Sequence, residues 1–366
     1  MKIDRIDVYS YELRYAHGEY VMSGGRAATS QTSTVVRLTS DSGLQGWGEV
    51  CPLGGSYLPA FPGGVRAALE EIGPALVGLD ATSPSGLHQV MDDLLLDQRA
   101  TKSVVDVAAC DLLGQITQQP LSVLLGGAVN DSFPLYEAVS HGTPEAMVAH
   151  AGERRAAGIR SFQLKVGNDP LEDAARTRSV VEALGGDVRI IADANGGWDL
   201  ADAVTAVRAM EDLPVHVEQP CRSMEDNILV GQRTSLPLIL DECVVTLEDL
   251  HRAKHEARAV AVNLKLSRVG GVSRVALLRD AAQELGLKVC LEDTWGGDLT
   301  SAAVSHLAAS TRPASLLTTS FFNDWNLEHV AGHRPRSVAG RGSAPTEPGL
   351  GVEVDEDQLE HVTSFS

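Results

Sequence analysis

The chain has 366 residues, 43% of them hydrophobic, and a formal net charge of −19. That length exceeds one small domain and fits a barrel of roughly 200–250 residues beside a smaller partner. The acidic balance argues against nucleic-acid phosphate and anionic membrane surfaces as partners.

The opening MKIDRIDVYSYEL alternates apolar and polar residues as a strand does, and it lacks the apolar centre of a secretory leader. TSTVVRLTSDSGLQGWGEV then gives two alternating runs around a DSG turn, and a largely helical stretch leads to LLGG. Strands first and helices second is an α+β pattern, expected to form a capping domain over residues 1–125. From Pro134 the texture changes and strand alternates with helix. Strands are expected at 135–138, 161–166, 188–193, 215–218, 238–241, 260–265, 288–292 and 315–319, with amphipathic stretches such as PLEDAARTRSVVEAL between them. Such a series of parallel units winds one way and closes, so the fold class is α/β, a modified TIM barrel of (β/α)7β type over residues 126–324. The tail, 325–366, is polar and rich in Gly and Pro, and is expected to pack back on the capping domain. No run reaches the roughly 18 apolar residues of a membrane span. The five cysteines, Cys51, Cys110, Cys221, Cys243 and Cys290, form no CxxC pair and read as reduced thiols of a cytoplasmic protein.

Several apolar runs end abruptly in a charge, as buried parallel strands do when their last side chain leaves the core. Lys165 ends FQLK, Asp193 ends RIIAD, Glu218 ends VHVE, Asp241 follows LIL and Lys265 ends AVNLK. In this fold the strand C-termini carry the chemistry. Three carboxylates on neighbouring strands would repel strongly in a dry site, and a hard, oxygen-liganded ion such as Mg2+ resolves that. Lys165 and Lys265 fall on the second and sixth strands, diametrically opposite in a ring of eight, where each could face one side of a planar intermediate. A nearby cation and partial burial would lower their pKa toward that of a usable base. A metal with opposed bases suits removal of a proton α to a carboxylate, because the cation stabilises the charge of the resulting ene-diolate. A Schiff-base role for either lysine would leave the carboxylates without a purpose.

The motifs QLKVG, ADANGGW, VEQPC, LDEC, NLKLSRVGG and EDTWGGD together resemble the mandelate racemase and muconate lactonizing enzyme group of the enolase superfamily, over essentially the whole chain. The resemblance implies Asp193, Glu218 and Asp241 as metal ligands, Lys165 and Lys265 as the acid/base pair, and Asn195 and Asp293 as contacts to substrate or to the ligands. It also implies a homo-oligomer. One departure is Gln163, where the group commonly carries a lysine two residues before Lys165; this makes a lactonizing activity less comfortable.

In this family two loops of the capping domain close over the barrel, here 15–31 and 51–61. The second brings Tyr57 and Phe61 toward the mouth, with Trp295, Phe321 and Phe322 expected opposite, as walls for a cation or an apolar ring. Arg26 could meet a second anionic group. CPLGGSYLP with EDTWGGD is similar to members acting on proline derivatives, so the expected partner is a small carboxylate of that kind. Dehydration of cis-3-hydroxy-L-proline is the first expectation, and 2-epimerisation of proline betaine or 4-hydroxyproline betaine the second. Muconate-type cycloisomerisation, acid-sugar dehydration and dipeptide epimerisation come after these. A barrel that only binds is disfavoured because all five key positions carry reactive side chains.

Overall fold

The computed structural model describes residues 1–366. Eight parallel strands form the barrel, and its closure is a bridge between Leu135 and Thr319. They are Tyr136–Val139, Ser161–Lys165, Arg189–Asp193, Val215–Glu218, Leu238–Leu240, Ala261–Lys265, Lys288–Glu292 and Leu316–Thr319. Each is nearly all buried, as expected where helices cover one face and the barrel interior the other.

Register decides where the strand-end charges lie. Lys165 pairs with Asp193 and Asp193 with Glu218, so these three sit level on adjacent strands. Lys265 pairs with Glu292 in the same way. Below the rim, Ile191, Ile239, Ala261, Cys290 and Leu317 form a small apolar cluster, so the interior is plugged rather than hollow.

The capping domain holds an antiparallel sheet of Ile3–Arg14, Ser30–Ser40 and Gln45–Val50. Helices α1 (Pro62–Leu76), α2 (Pro84–Leu94) and α3 (Arg99–Thr117) pack on it through one apolar cluster. α3 lies directly on the backbone of the third strand: a Cβ at Gly46 or Gly48 would strike main-chain atoms at Ala108, Leu112 and Val104. The chain's last strand, Glu360–Phe365, returns to pair with Ile3–Arg14 and becomes the fourth strand of this sheet.

Most barrel helices cap themselves. Asp169 accepts from the amides of Leu171 and Glu172 behind Pro170, and Thr246 and Asp249 form a reciprocal box. Two helices, Val272–Glu284 and Asp298–Ala309, begin at glycines without a side-chain cap of their own. The capping domain supplies both: Asp106 of α3 accepts from Ser273 N at 3.0 Å. Glu49 accepts from Gly297 N at 2.9 Å and Thr300 N at 3.0 Å. No helix is long and apolar enough to cross a membrane, and all five cysteines are unpaired.

Candidate active site

The rim gathers Lys165, Asp193, Glu218, Asp241 and Lys265, none more than 4% exposed. Lys165 Nζ donates to Asp193 Oδ2 at 2.6 Å, and Lys265 Nζ donates to Asp241 Oδ2 at 2.7 Å and to Tyr57 Oη at 2.8 Å. Lys265 also lies 3.2 Å from Glu292 Oε1. Glu218 between them accepts from the amides of Gln163 at 2.9 Å and Asn263 at 2.8 Å. The position that departs from the family's lysine therefore gives a neutral donor to the central carboxylate.

Electrostatics follow from this crowding. Burial pushes Glu218 well above the usual carboxylate range, and the charges of Asp193, Asp241 and Glu292 push the same way. Asp241 ends below its ordinary value: burial raises it, but Arg268 and Lys265 outweigh that. Arg268 was not singled out in the sequence, yet it is buried, bonded to Asp241 Oδ1 and to the carbonyl of Asn263. Both lysines run against the expectation of a lowered pKa. Burial does pull each down, but Asp193 for Lys165, and Asp241 with Tyr57 and Glu292 for Lys265, hold them above the ordinary lysine value. Because each carboxylate is drawn to an ammonium, a guanidinium or an amide, no three acidic, His or Cys side chains converge closely enough to hold a metal ion as they stand. The donor set nevertheless fits a hard cation: three buried carboxylates on adjacent strands, the middle one destabilised by its neighbours' charge.

Above the rim lies a small cavity of about 10 Å³ lined by Tyr20, Met22, Leu53, Tyr57, Phe322 and the polar ends of the strands. Asn195 and Asp293 line it too, and each turns a buried oxygen, Asn195 Oδ1 and Asp293 Oδ2, toward no protein partner. Asn195 sits in left-handed backbone (φ 46°), its amide N–H donating to Asp193 Oδ1 at 2.9 Å and its side chain to Glu242 at 3.0 Å. Asp293 is pushed up to about 6 by burial, against hydrogen bonds from Ser267 and Thr294.

The expected aromatic wall is only partly there. Tyr57 and Phe322 line the cavity. Trp295 lies one layer behind, its ring 5.5 Å from Phe322 and 5.2 Å from Tyr20 and its indole N–H on Asn326. Phe321 faces the other way, edge-on to Phe133 at 6.0 Å, because successive residues after a strand alternate sides. Phe61 is 56% exposed at the start of α1, outside the cavity. Arg26 is engaged inside the lid, with Ser23, the Asn195 carbonyl and the Tyr57 ring. Among the lining residues that the sequence reading did not single out are Tyr20 over Lys165, Tyr136 bonded to Glu292, and Glu292 itself. Glu292 had a readable signal, a charge ending an apolar run, whereas the tyrosines looked like core.

Family models cover both parts of the chain. Residues 7–126 match the mandelate racemase/muconate lactonizing enzyme N-terminal domain, and 146–358 the enolase C-terminal domain-like model. The chain belongs to the mandelate racemase/muconate lactonizing enzyme family of the enolase superfamily. A cis-3-hydroxy-L-proline dehydratase of Roseibium aggregatum is 39% identical over 352 residues, covering 96% of each chain. An N-succinyl-L-Arg/Lys racemase of Bacillus cereus is 28% identical across 100% of this chain and 99% of its own. Among solved structures, a mandelate racemase/muconate lactonizing enzyme from Roseovarius nubinhibens superposes with TM-score 0.96 at 36% identity, over 100% of this chain and 98% of that one. An enolase-superfamily member from the same organism, complexed with magnesium, gives 0.94 at 33%, over 100% and 99%.

Proposed function

We propose that this enzyme removes the proton α to the carboxylate of cis-3-hydroxy-L-proline and expels the 3-hydroxyl as water. The observation that supports the reading is the pair of buried lysines, Lys165 and Lys265, at the ends of the second and sixth of eight barrel strands and both lining one small cavity. The dehydratase relative, similar over nearly the whole chain, favours this substrate among those the family offers.

Asp193, Glu218 and Asp241 would hold a magnesium ion. Bound there, it supplies positive charge against the substrate carboxylate, where negative charge builds as the α-proton leaves. With an oxygen committed to that cation, Asp193 would hold Lys165 less firmly and would weaken the interaction that keeps the amine protonated. In the cis isomer the hydroxyl shares a ring face with the carboxylate, so the C2 hydrogen points to the opposite face. Loss of both therefore needs a base on one side and an acid on the other. Lys165, paired with one carboxylate, takes the C2 proton; the electrons of that bond form the C2–C3 double bond, and the C3–O bond breaks. Lys265, flanked by Asp241, Glu292 and Tyr57, gives its proton to the departing oxygen. The enamine product then tautomerises to a cyclic imine. The cavity now holds no more than about one water, so Met22, Leu53 and Tyr57 of the two loops move aside for the ring.

The test is incubation with cis-3-hydroxy-L-proline, 4-hydroxyproline betaine and proline betaine, each in D2O with Mg2+, followed by NMR. A pyrroline-carboxylate product from the first substrate is expected, and Lys165→Ala should slow it by at least about a hundredfold. Deuterium at C2 with every hydroxyl retained would replace the reading with epimerisation. Silence from all three would remove it.

A further inference from the structure

Two bases facing one carbanion are chemically equivalent unless the protein makes them differ, and the difference decides whether the intermediate is reprotonated or loses a substituent. The structure contains such an asymmetry, in the carboxylates that each lysine meets. Lys165 meets one carboxylate, Asp193. Lys265 meets two, Asp241 at 2.7 Å and Glu292 at 3.2 Å. Asp241 is one of the proposed cation ligands, so its oxygens are shared between duties. Glu292 is not. It is 3% exposed, it ends the seventh barrel strand, and register places it level with Lys265.

Glu292 is also fixed in place. One oxygen accepts from the Asn263 amide at 2.8 Å, and the other takes the hydroxyl of Tyr136, a 4% exposed residue of the first barrel strand. Asn263 lies two residues before Lys265 on the same strand, so the anchor and the lysine share one rigid element. Tyr136, Glu292 and Lys265 all line the catalytic cavity. Nothing in proton abstraction by Lys165 uses them.

We propose that Glu292, clamped by Tyr136 and Asn263, is the positioning residue that aims the Lys265 ammonium at the leaving hydroxyl and so directs the C2 carbanion to dehydration rather than to return of a proton at C2. The inference rests on the dehydratase reading above. Without the second carboxylate, Lys265 retains only Asp241 and Tyr57 as partners, and its proton is no longer directed at C3. The carbanion formed by Lys165 then recaptures a proton at C2 from the Lys165 ammonium instead of losing the 3-hydroxyl as water.

The experiment follows both fates of cis-3-hydroxy-L-proline in D2O with Mg2+: deuterium entering C2 of recovered substrate, and imine formed. In Glu292→Gln, imine formation should fall at least tenfold while C2 exchange, carried by Lys165, falls far less, so the exchange-to-elimination ratio rises. Tyr136→Phe, which keeps the carboxylate but frees it, should move the ratio the same way by a smaller step. Glu292→Asp should recover part of the elimination rate. Thermal unfolding of each variant, matched to the parent, excludes a general loss of fold; a merely structural role would depress both rates together and leave the ratio unchanged, overturning the proposal. An unchanged imine rate in Glu292→Gln would overturn it equally. Absence of imine from the parent enzyme would strike the underlying reading instead.

Discussion

Arg268 shows how a site residue can carry both fold and chemistry. Its guanidinium is buried against Asp241 and also donates to the carbonyls of Asn263 and Val244, tying the ends of the fifth and sixth strands together. Replacing Arg268 with Met removes the charge partner of a buried carboxylate and orphans two carbonyls. We expect a loss of roughly 3 kcal/mol in urea unfolding, the low end for a broken buried pair because Lys265 still faces Asp241. On the proposed magnesium site, added Mg2+ should recover part of it by giving Asp241 a cation again; equal losses with and without the ion would show that Asp241 does not bind it. At this scale the sequence disclosed what a strand end discloses: a charge closing an apolar run marks Lys165, Asp193, Glu218 and Lys265 directly. It concealed Arg268, Tyr20 and Tyr136, because a cation one turn past a strand and a tyrosine inside an apolar run look the same whether they face a site or the core. Phe321 and Phe322 were indistinguishable for a similar reason, since which of two neighbours turns inward depends on where the strand stops.

Among the elements, the helix Asp298–Ala309 is buried along its whole length and carries His306 in its last turn. The ring's Nδ1 accepts from Ser122 N and its Nε2 lies 3.1 Å from the Leu350 carbonyl, joining the end of the capping domain to the tail through a neutral imidazole. Burial depresses its pKa to about 4. Between that value and the ordinary 6.5 the unfolded chain binds a proton that the folded one refuses, so this contribution is complete above about 6.5 and is lost as pH falls toward 4. The size is roughly 3 kcal/mol at full loss. A His306→Gln variant, which cannot take up that proton, should be less stable at pH 8 yet show a flatter decline between pH 7 and 4 in thermal melts; a parallel decline would assign the acid sensitivity elsewhere. The barrel strands were legible because a period of strand and helix repeated seven times before a last strand leaves little freedom. The strand Glu360–Phe365 was not, for its first three residues are exposed, its last three only partly buried, and its sequence shows no alternating apolar face to read.

The whole molecule depends on how the two parts hold each other, and the borrowed helix caps locate that grip. Glu49 is the penultimate residue of the third capping strand, just before the loop that carries Tyr57, and it is 1% exposed. Its carboxylate takes the Tyr11 hydroxyl at 2.5 Å and the Ser33 hydroxyl at 2.8 Å from its own domain, and the amides of Gly297 and Thr300 from the barrel. A negative charge at that helix N-terminus is favoured by the helix dipole as well as by the hydrogen bonds. Gly297 has no room for a side chain there, since a Cβ would strike the Tyr11 hydroxyl, so the helix cannot readily supply a cap of its own. The same contact steadies the segment 293–297, in which Thr294 donates to the Cys51 carbonyl at 3.1 Å and Asp293 faces the cavity. Glu49→Ala leaves buried donors on both sides unpaired, each worth about 1–3 kcal/mol, and should lower the melting temperature far more than Glu49→Gln, which keeps one acceptor. If the grip also sets the site, the variant that still folds, Glu49→Gln, should raise KM more than it lowers kcat, because Asp293 and Thr294 are displaced while Lys165 and Lys265 stay on their strands. Unchanged KM together with a lowered melting temperature would confine Glu49 to holding the domains together.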